Sequence, residues 1–510
     1  MHSKREPRLS VSYGSDARIL DPTNAVAVDG VTAGTTIYSS TTLLISKSVD
    51  FEDTFRRIKK VARSLNWRVE AEPEPAHAAD LRFGARRIGL GVVPGKAVAA
   101  PDAWTLLQFL RAEGADGAQG VSLEHVLVPV PLNDPHPLND PHPLNDPHPL
   151  NDPHPLNDPH PLNDPHPNSG YDPMGTGGRQ PVAYVGSAPA RQSDDDLEGR
   201  ARPVVAILDT GCGQHPWLDF VDRNVRLGNH RIGWPSSVPD SEIDGDQVGA
   251  LDGLIDPLAG HGTFIAGLVH QACPNADIYA WRIVPPEGPV AEYGWLTALA
   301  QIADLVHLYR QGDPRGRRID VLSLSIGYYH ETPEDALFDP MLHEILADLA
   351  ANGTLVVCSA GNDSTSRPNF PAAFAPWSEG EGPCSAWDKA LPIVSVGALN
   401  PNGTDAIFSN AGPWVRAYEV GAGVVSTFPT SFDGGYQATV ASEFSGRRRE
   451  TLDPDDFGGG FGTWSGTSFA APLLAGRIAQ HLFDNGDPGD VTQDIDRAWA
   501  AIEVLTTLKQ

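Results

Sequence analysis

The chain has 510 residues, with 37 Lys and Arg against 65 Asp and Glu, which gives a formal net charge of −28 at pH 7. At roughly 100–200 residues per domain, this length predicts two or three domains. Phosphate binding needs clustered positive charge, so the acidic balance argues against a nucleic acid partner. No stretch reaches the about 18 apolar residues of a transmembrane helix, so no membrane partner is expected.

The cysteines and the N-terminus bear on the cellular compartment. Four cysteines are scattered along the chain without a CxxC pair, which argues against both a disulfide framework and a cysteine metal site. The N-terminus contains basic residues but lacks the apolar run of about 7–15 residues that marks a secretory signal peptide. Reduced thiols and a cytoplasmic location are therefore expected, provided that the chain begins here.

A repeat divides the chain. Residues 131–166 are six perfect copies of Pro-Leu-Asn-Asp-Pro-His. The prolines exclude helix and sheet, and a polyproline-like rise of about 3.1 Å per residue would place the histidines on one side, roughly 19 Å apart. We expect a semi-rigid spacer, with a docking or metal-binding tract as the alternative. The acidic, Gly-rich stretch to Arg200 continues this linker, which spans residues 131–200.

The segment before the linker predicts an α+β domain. After an N-terminal extension of residues 1–40, residues 41–130 alternate strand and helix patterns. Asp50 is a plausible N-cap for a helix over residues 51–66, and Asp102 opens a second helix. The remaining segments are strand-like, at residues 41–46, 68–72, 87–93 and 121–130. The order βαββαβ predicts a ferredoxin-like sandwich.

The segment after the linker, residues 201–510, predicts an α/β fold. The apolar strand patterns lie at residues 204–208, 278–283, 321–326, 355–359 and 393–396, and the helical patterns at 263–271, 294–309 and 341–351. Strands that are apolar throughout are buried on both faces, so a parallel sheet sandwiched by helices is expected. Functional sites in such folds lie at the carboxyl ends of the strands.

Four residues at element ends are candidates for chemistry. Asp209 ends the first of these strands, His261 lies between two glycines before an apolar helix, and Ser468 opens a helix whose first-turn amides and positive dipole lie beside it. Asn362 ends the fourth strand, where its amide suits a developing oxyanion. Each residue alone is equally a cap, turn or surface residue. Together they supply a nucleophile, a base and an orienting carboxylate.

The order Asp209, His261, Ser468 is the order found in subtilisin. The blocks that carry these residues follow one another as VVAILDTG, GHGTFIAG, DVLSLSIG, LVVCSAGN and SGTSFAAPLLAG. Over roughly residues 200–485 the chain resembles the subtilisin-like serine proteases, or subtilases. The related sedolisins use a glutamate base and an aspartate at the oxyanion position, and the HGT and SAGN blocks favour the subtilisin arrangement.

The resemblance implies a serine endopeptidase that hydrolyses peptide bonds of a protein or peptide substrate through an acyl-enzyme. Asp209 would orient His261, which would act as general base and then general acid, and Ser468 would attack the carbonyl. Asn362 and the Ser468 amide would stabilise the oxyanion. The substrate backbone would pair with the segment Ser325, Ile326 and Gly327 as an added strand.

Three features depart from the family pattern. Phe264 stands where the family usually has a second histidine, and Phe469 where it usually has methionine, so we expect local repacking and retained activity. An acidic, Gly-rich insertion over residues 431–462 is either a lid or a solvated loop. Cys212 is expected to be an inert packing thiol, with sensitivity to thiol reagents as the alternative.

The resemblance also gives the N-terminal segment a role. Subtilases are often made with a prodomain of this fold that assists folding and blocks the cleft until it is cut. We expect residues 41–130 to be an intramolecular inhibitor whose basic helix docks on the acidic catalytic domain, or else a partner-binding module. Self-cleavage would fall near residue 130 or within residues 167–200.

The resemblance leaves calcium and two other functions open. No cofactor is expected, although family members often bind calcium structurally and the acidic loop at residues 240–252 is a candidate without EF-hand spacing. A catalytically silent subtilase-fold binding scaffold and a dedicated peptide-processing protease are the alternative functions.

Overall fold

The structure is a computed structural model, and it describes residues 16–27, 33–96, 98–114, 117–127, 179–183, 185–234, 240–247, 253–285, 288–332, 340–378, 380, 382 and 390–510. The PLNDPH repeat lies outside the described residues, and its role as a spacer stays a prediction.

Residues 16–127 form an N-terminal unit around an antiparallel sheet. Its strands run in the order β5-β2-β4-β3, and β1 pairs with the first half of β2. In chain order the elements are β1 (Ala17–Leu20), β2 (Thr36–Ser46), α1 (Phe51–Ser64), β3 (Trp67–Ala71), α2 (Ala76–Ala79), β4 (Ala85–Val92), α3 (Ala103–Arg111) and β5 (Val121–Leu127). Apart from β1 and the one-turn α2, this is a βαββαβ order. The sheet begins before residue 41, inside the segment expected to be an extension.

Both main helices of this unit begin at a capping aspartate. The Asp50 side chain accepts a hydrogen bond from the amide of Asp53, and the Asp102 side chain accepts one from the amide of Thr105. Such caps satisfy amides that have no partner within the helix. The helices pack on one face of the sheet, where Ile58 is fully buried in the core of this unit.

Residues 179–510 form a C-terminal unit. Its elements are β6 (Gln180–Pro181), β7 (Val204–Asp209), β8 (Arg226–Leu227), β9 (His230–Arg231), α4 (His261–Ala272), β10 (Asp277–Arg282), β11 (Val290–Ala291), α5 (Glu292–Arg310), β12 (Val321–Leu324), α6 (Pro340–Ala351), β13 (Leu355–Ser359), β14 (Val394–Leu399), β15 (Ala417–Val420), β16 (Val424–Thr427), β17 (Ala441–Phe444), β18 (Arg447–Glu450), β19 (Phe461–Trp464), α7 (Thr467–Asp484) and α8 (Val491–Leu505).

The centre of the C-terminal unit is a parallel sheet in the order β10-β7-β12-β13-β14-β15. Val205 and Ile207 of β7 belong to the core that contains α4, α7 and α8, whereas Ala206 and Leu208 belong to the core that contains α5 and α6. Alternate residues of one strand therefore face two layers of helices. The predicted α/β fold with a helix-covered parallel sheet is confirmed.

The N-terminal unit packs against the C-terminal unit through the sheet face opposite its own helices. Leu44, Ala85 and Leu127 share an apolar core with α5 and α6, and β11 extends the N-terminal sheet by pairing antiparallel with β5. Arg82 forms ion pairs across the boundary, with Asp304 at 2.6 Å and Asp348 at 2.7 Å.

The expectation that the basic helix α1 makes this contact is wrong. Arg56 pairs with Asp53 at 2.8 Å and Lys60 with Glu113 at 2.7 Å, all within the N-terminal unit. The helix lies on the far face of the sheet because its apolar residues are needed for the core of its own unit.

The insertion at residues 431–462 has a buried base and an exposed tip. Phe432 and Phe457 are buried in the C-terminal core, whereas every residue of the β17–β18 hairpin is exposed. No helix in the described ranges is long and apolar enough to cross a membrane.

Candidate active site

A buried carboxylate and a histidine meet at the end of β7. Oδ1 of Asp209 accepts hydrogen bonds from the Thr210 amide at 2.8 Å and from Nδ1 of His261 at 2.7 Å. His261 is the first residue of α4, and Gly260 before it has φ 84°, in the left-handed region that favours glycine. Both side chains are 1% exposed, so the bond is shielded from water. A proton on Nδ1 leaves the lone pair of the neutral ring on Nε2.

The second ring nitrogen of His261 is the candidate base. Nε2 is buried and has no hydrogen-bond partner in the part of the chain that the structure describes. The ring packs against two aromatic side chains that also contact each other, with its centroid 5.5 Å from that of Trp464 and 5.3 Å from that of Phe469. These contacts fix the imidazole plane.

Ser468 lies in the first turn of α7, the turn that also carries the phenylalanine in contact with this histidine. It directly precedes Phe469, whose ring contacts His261, and its side chain is buried. The Ser468 carbonyl oxygen accepts a hydrogen bond of 3.0 Å from Oγ of Ser325. The first-turn amides of α7 and the positive end of the helix dipole favour negative charge at this position.

Asn362 is oriented toward the same turn. Its Oδ1 accepts hydrogen bonds of 2.8 Å from both the amide and the hydroxyl of Thr467. Its Nδ2 lies on the side of Gly466, since a Cβ atom at that glycine would come within 3.4 Å of Nδ2. An amide held by its oxygen in this way presents an N–H donor, the group that an oxyanion requires.

Ser325, Ile326 and Gly327 follow the end of β12 and are brought to the same edge of the sheet. The predicted strand ran to residue 326, but β12 ends at Leu324. Gly327 packs so closely against Asn369 that a Cβ atom would lie 2.1 Å from its Oδ1, so only glycine fits. This segment adjoins Ser468 through the hydroxyl of Ser325.

A buried carboxylate that the sequence analysis missed lies behind the Asp209–His261 pair. Glu242 accepts hydrogen bonds from the hydroxyls of Thr210 and Thr263, and from the amide of Gly262 at 3.3 Å. It therefore ties the loop after β7 to the first turn of α4. Burial raises the pKa of Glu242 to about 7. In the sequence Glu242 lies in an acidic run, and such a run does not indicate that one of its side chains is buried.

The two aromatic departures from the family pattern contact each other. The ring centroids of Phe264 and Phe469 are 4.6 Å apart, and both rings also contact Trp464. Cys212 is buried, and burial raises the pKa of its thiol to about 12. A thiol in this state is a poor nucleophile.

The candidate calcium loop is described only in part. Asp240 pairs with Arg282 at 3.5 Å, and Asp246 accepts a hydrogen bond of 2.9 Å from the Gly253 amide. Within the described ranges, no three His, Cys, Asp or Glu side chains of this loop come close enough together to share a metal ion. Structural calcium therefore stays a prediction.

Comparisons with known proteins agree on one family. The family model described as the subtilase family matches residues 200–495. An intracellular serine protease of Paenibacillus polymyxa is 26% identical over 295 residues, which are 55% of this chain and 67% of that protein. The major intracellular serine protease of Bacillus subtilis is 24% identical over 290 residues, which are 54% of this chain and 66% of that protein. Subtilisin-like protease 5 of Arthroderma gypseum is 25% identical over 293 residues, 56% of this chain and 57% of that protein.

Proposed function

Because the chain belongs to the subtilase family of serine peptidases, we propose that it is an endopeptidase that cleaves peptide bonds through an acyl-enzyme. The observation that carries this proposal is the buried hydrogen bond of 2.7 Å between Asp209 and Nδ1 of His261, whose ring contacts Phe469, the residue that follows Ser468 in the first turn of α7. Serine becomes an effective nucleophile only when an oriented base takes its proton.

In this mechanism each group has a defined role. Asp209 holds His261 in the tautomer with the proton on Nδ1, and Nε2 takes the hydroxyl proton of Ser468 as its Oγ bonds to the substrate carbonyl carbon. His261 then returns that proton to the leaving amine, and water repeats the sequence to release the acid. The backbone amide of Ser468 and Nδ2 of Asn362 bind the oxyanion.

We place the substrate along residues 325–327. A peptide that adds as a strand beside Ser325, Ile326 and Gly327 would reach Ser468 with its scissile carbonyl, since the Ser325 hydroxyl already bonds to the Ser468 carbonyl. Both bacterial relatives are named as intracellular proteases, and we propose the same location for this chain.

The N-terminal unit is proposed to be an intramolecular inhibitor. Its support is the continuous apolar core with α5 and α6 and the pairing of β5 with β11, which join it to the unit that carries the candidate site. Blocking by a covalently attached segment needs little intrinsic affinity because the effective concentration is high.

Hydrolysis of casein by the purified chain tests the proposal. Ser468→Ala should abolish it, and Asn362→Ala should lower kcat by about 10²–10³, the loss expected for one oxyanion donor. Ser442→Ala, on the exposed strand β17, is the control and should retain full activity. A near-normal rate for Ser468→Ala would mean that the site is wrong. Cleavage of one dedicated peptide but not of casein would favour a processing protease.

A further inference from the structure

A buried cluster of histidines and carboxylates lies at the boundary of the two units, outside the candidate active site. His125 of β5 is completely buried and contacts two carboxylates of the C-terminal unit. Its backbone amide donates to Oε2 of Glu292 at 2.8 Å, and its Nδ1 lies 2.7 Å from the same oxygen. Its Nε2 lies 2.8 Å from Oε2 of Glu331. Glu292 and Glu331 are 0% and 1% exposed.

A second imidazole completes the cluster. The ring of His330 lies 5.2 Å from the ring of His125, and its Nδ1 lies 3.5 Å from Oε2 of Glu331. The Thr332 amide donates to the single lone pair of this Nδ1 at 3.0 Å, and a metal ion bound at Nδ1 would replace this hydrogen bond. Ligand atoms of His125, His330 and Glu331 all lie within 4.8 Å of one another. Ligands about 2.0–2.2 Å from a metal ion are separated by roughly 3–4 Å, so the atoms need only small shifts.

The contacts of His125 require a cation inside the cluster. When Nδ1–H donates to Glu292, the neutral ring has its lone pair on Nε2, which then faces a carboxylate oxygen of Glu331 at 2.8 Å. Two lone pairs at that distance repel, so either a proton or a metal ion lies between them. A carboxylate that accepts the other N–H of a histidine is the usual support of a zinc ligand.

The two carboxylates of the cluster need more positive charge than Arg111 alone supplies. Two carboxylates buried together destabilise the fold unless positive charge compensates them. Arg111 approaches Glu331 only to 3.9 Å, and Oε1 of Glu292 has no hydrogen-bond partner among the described residues. Arg111 supplies one positive charge, and either a proton on His125 or a divalent ion supplies the rest.

We propose that His125, His330 and Glu331 bind one divalent transition-metal ion, best fitted by Zn²⁺, which fastens the N-terminal unit to the C-terminal unit. Two imidazoles and one carboxylate are a common zinc ligand set with a fourth position for water. Glu292 positions His125 from behind. One ligand comes from the N-terminal unit and two from the C-terminal unit, so the ion stabilises the docked arrangement. That this docking restrains activity rests on the proposed function, but metal binding itself does not.

The test uses the full chain with Ser468→Ala, so that self-cleavage does not interfere. After dialysis against a chelator, the chain is titrated with Co²⁺, whose visible absorption reports four-coordinate binding, and Zn²⁺ content is then measured. We expect one ion that is lost in His125→Gln and His330→Gln. His307→Gln is the matched control, because His307 lies on α5 and bonds to Gln311. The repeat histidines are present in every variant, so any ion they hold is common to all.

A third variant separates loss of the metal site from misfolding of the chain. Glu292→Gln keeps both ligand histidines and should weaken Co²⁺ affinity about 10–100-fold, as for other residues that orient a metal ligand. Zn²⁺ should also raise the melting temperature of the parent chain but not that of His125→Gln. Equal metal binding in the parent and both histidine variants would contradict the proposal. So would the absence of binding and of any thermal shift, which would leave a bridging proton in the cluster. Neither result depends on peptidase activity.

Discussion

Phe264 and Phe469 both depart from the family pattern, and their side chains pack together. Their rings contact each other and Trp464, and Phe469 also contacts the imidazole of His261. Close-packed interiors tolerate paired changes of volume better than single ones. Phe264, Phe469 and Trp464 therefore form one aromatic wall, which packs against the candidate base His261 through Phe469 and Trp464.

The candidate site residues at strand and helix ends could be predicted because the neighbouring residues in the sequence mark where each element begins or ends. Asp209, His261 and Asn362 each follow a glycine or an apolar strand in a recognisable block. Glu242 was not predictable, since its partners Thr210 and Thr263 lie 32 and 21 residues away and meet it only in the fold.

Glu242→Gln should change how stability depends on pH. Burial raises the pKa of Glu242 from the usual 4.5 to about 7, so between these values the folded chain binds more protons than the unfolded chain. Stability should therefore fall as pH rises from about 4.5 to 7, by on the order of 3 kcal/mol at most. Glutamine cannot ionise and should remove this slope.

Urea unfolding at pH 5 and pH 8 measures the effect, in chains that carry Ser468→Ala. The control is Glu443→Gln on the exposed hairpin, which should leave the pH dependence unchanged. An identical slope in the parent and Glu242→Gln would contradict the buried, proton-binding carboxylate.

Among the helices and strands, the apolar strands and the capped helices were predicted from the sequence, whereas the shortest strands were not. The pairs β11–β5 and β6–β19 are two residues long and join segments that are distant in the chain. No periodicity marks two residues, so tertiary pairing alone defines them. The side of the sheet on which α1 packs was likewise not readable from its charge.

Removing the β17–β18 hairpin should leave the molecule intact. Val440 and Phe444 are 64% and 68% exposed, and Thr439 and Thr451 already bond across the base at 3.0 Å. Replacing residues 440–450 with two glycines should shift the melting temperature by about 2 °C or less and leave casein hydrolysis within about twofold.

In contrast to the hairpin, the base of the insertion at residues 431–462 should be needed for stability. Phe457 is buried and stacks on Phe428 with ring centroids 4.4 Å apart, so Phe457→Ala should lower stability by about 3–5 kcal/mol. A large loss of hydrolysis on removal of the hairpin alone would instead indicate a lid that takes part in substrate binding.

At the scale of the whole molecule, docking of the N-terminal unit combines an apolar face with a few ion pairs. Arg82 bonds to both Asp304 and Asp348 and is 31% exposed, so Arg82→Ala should weaken docking by on the order of 1–2 kcal/mol. Hydrogen exchange of β5 and β11 in the Ser468→Ala chain should then accelerate by about five- to thirtyfold. Arg56→Ala, whose partner Asp53 lies in the same helix, should change nothing. Equal exchange in both variants would mean that Arg82 does not hold the units together.

The start of the C-terminal unit limits where self-cleavage can occur. The Arg179 guanidinium is buried and donates to the carbonyl oxygens of Ala259 at 2.7 Å and Ile255 at 3.0 Å. The next two residues pair with β19. A cut after Arg179 would detach these contacts, so we expect the cut chain to begin at or before this residue.

Fluorophosphonate labelling of the full chain, followed by intact and peptide mass spectrometry, tests whether Ser468 is an activated nucleophile. We expect one label on Ser468, none in Ser468→Ala or His261→Ala, and any shortened product to begin at or before Arg179. Labelling at a different serine, or of Ser468→Ala, would contradict it. So would failure of Ser468 to label even after an added protease has trimmed the linker and released the N-terminal unit, which would leave a binding scaffold with the subtilase fold.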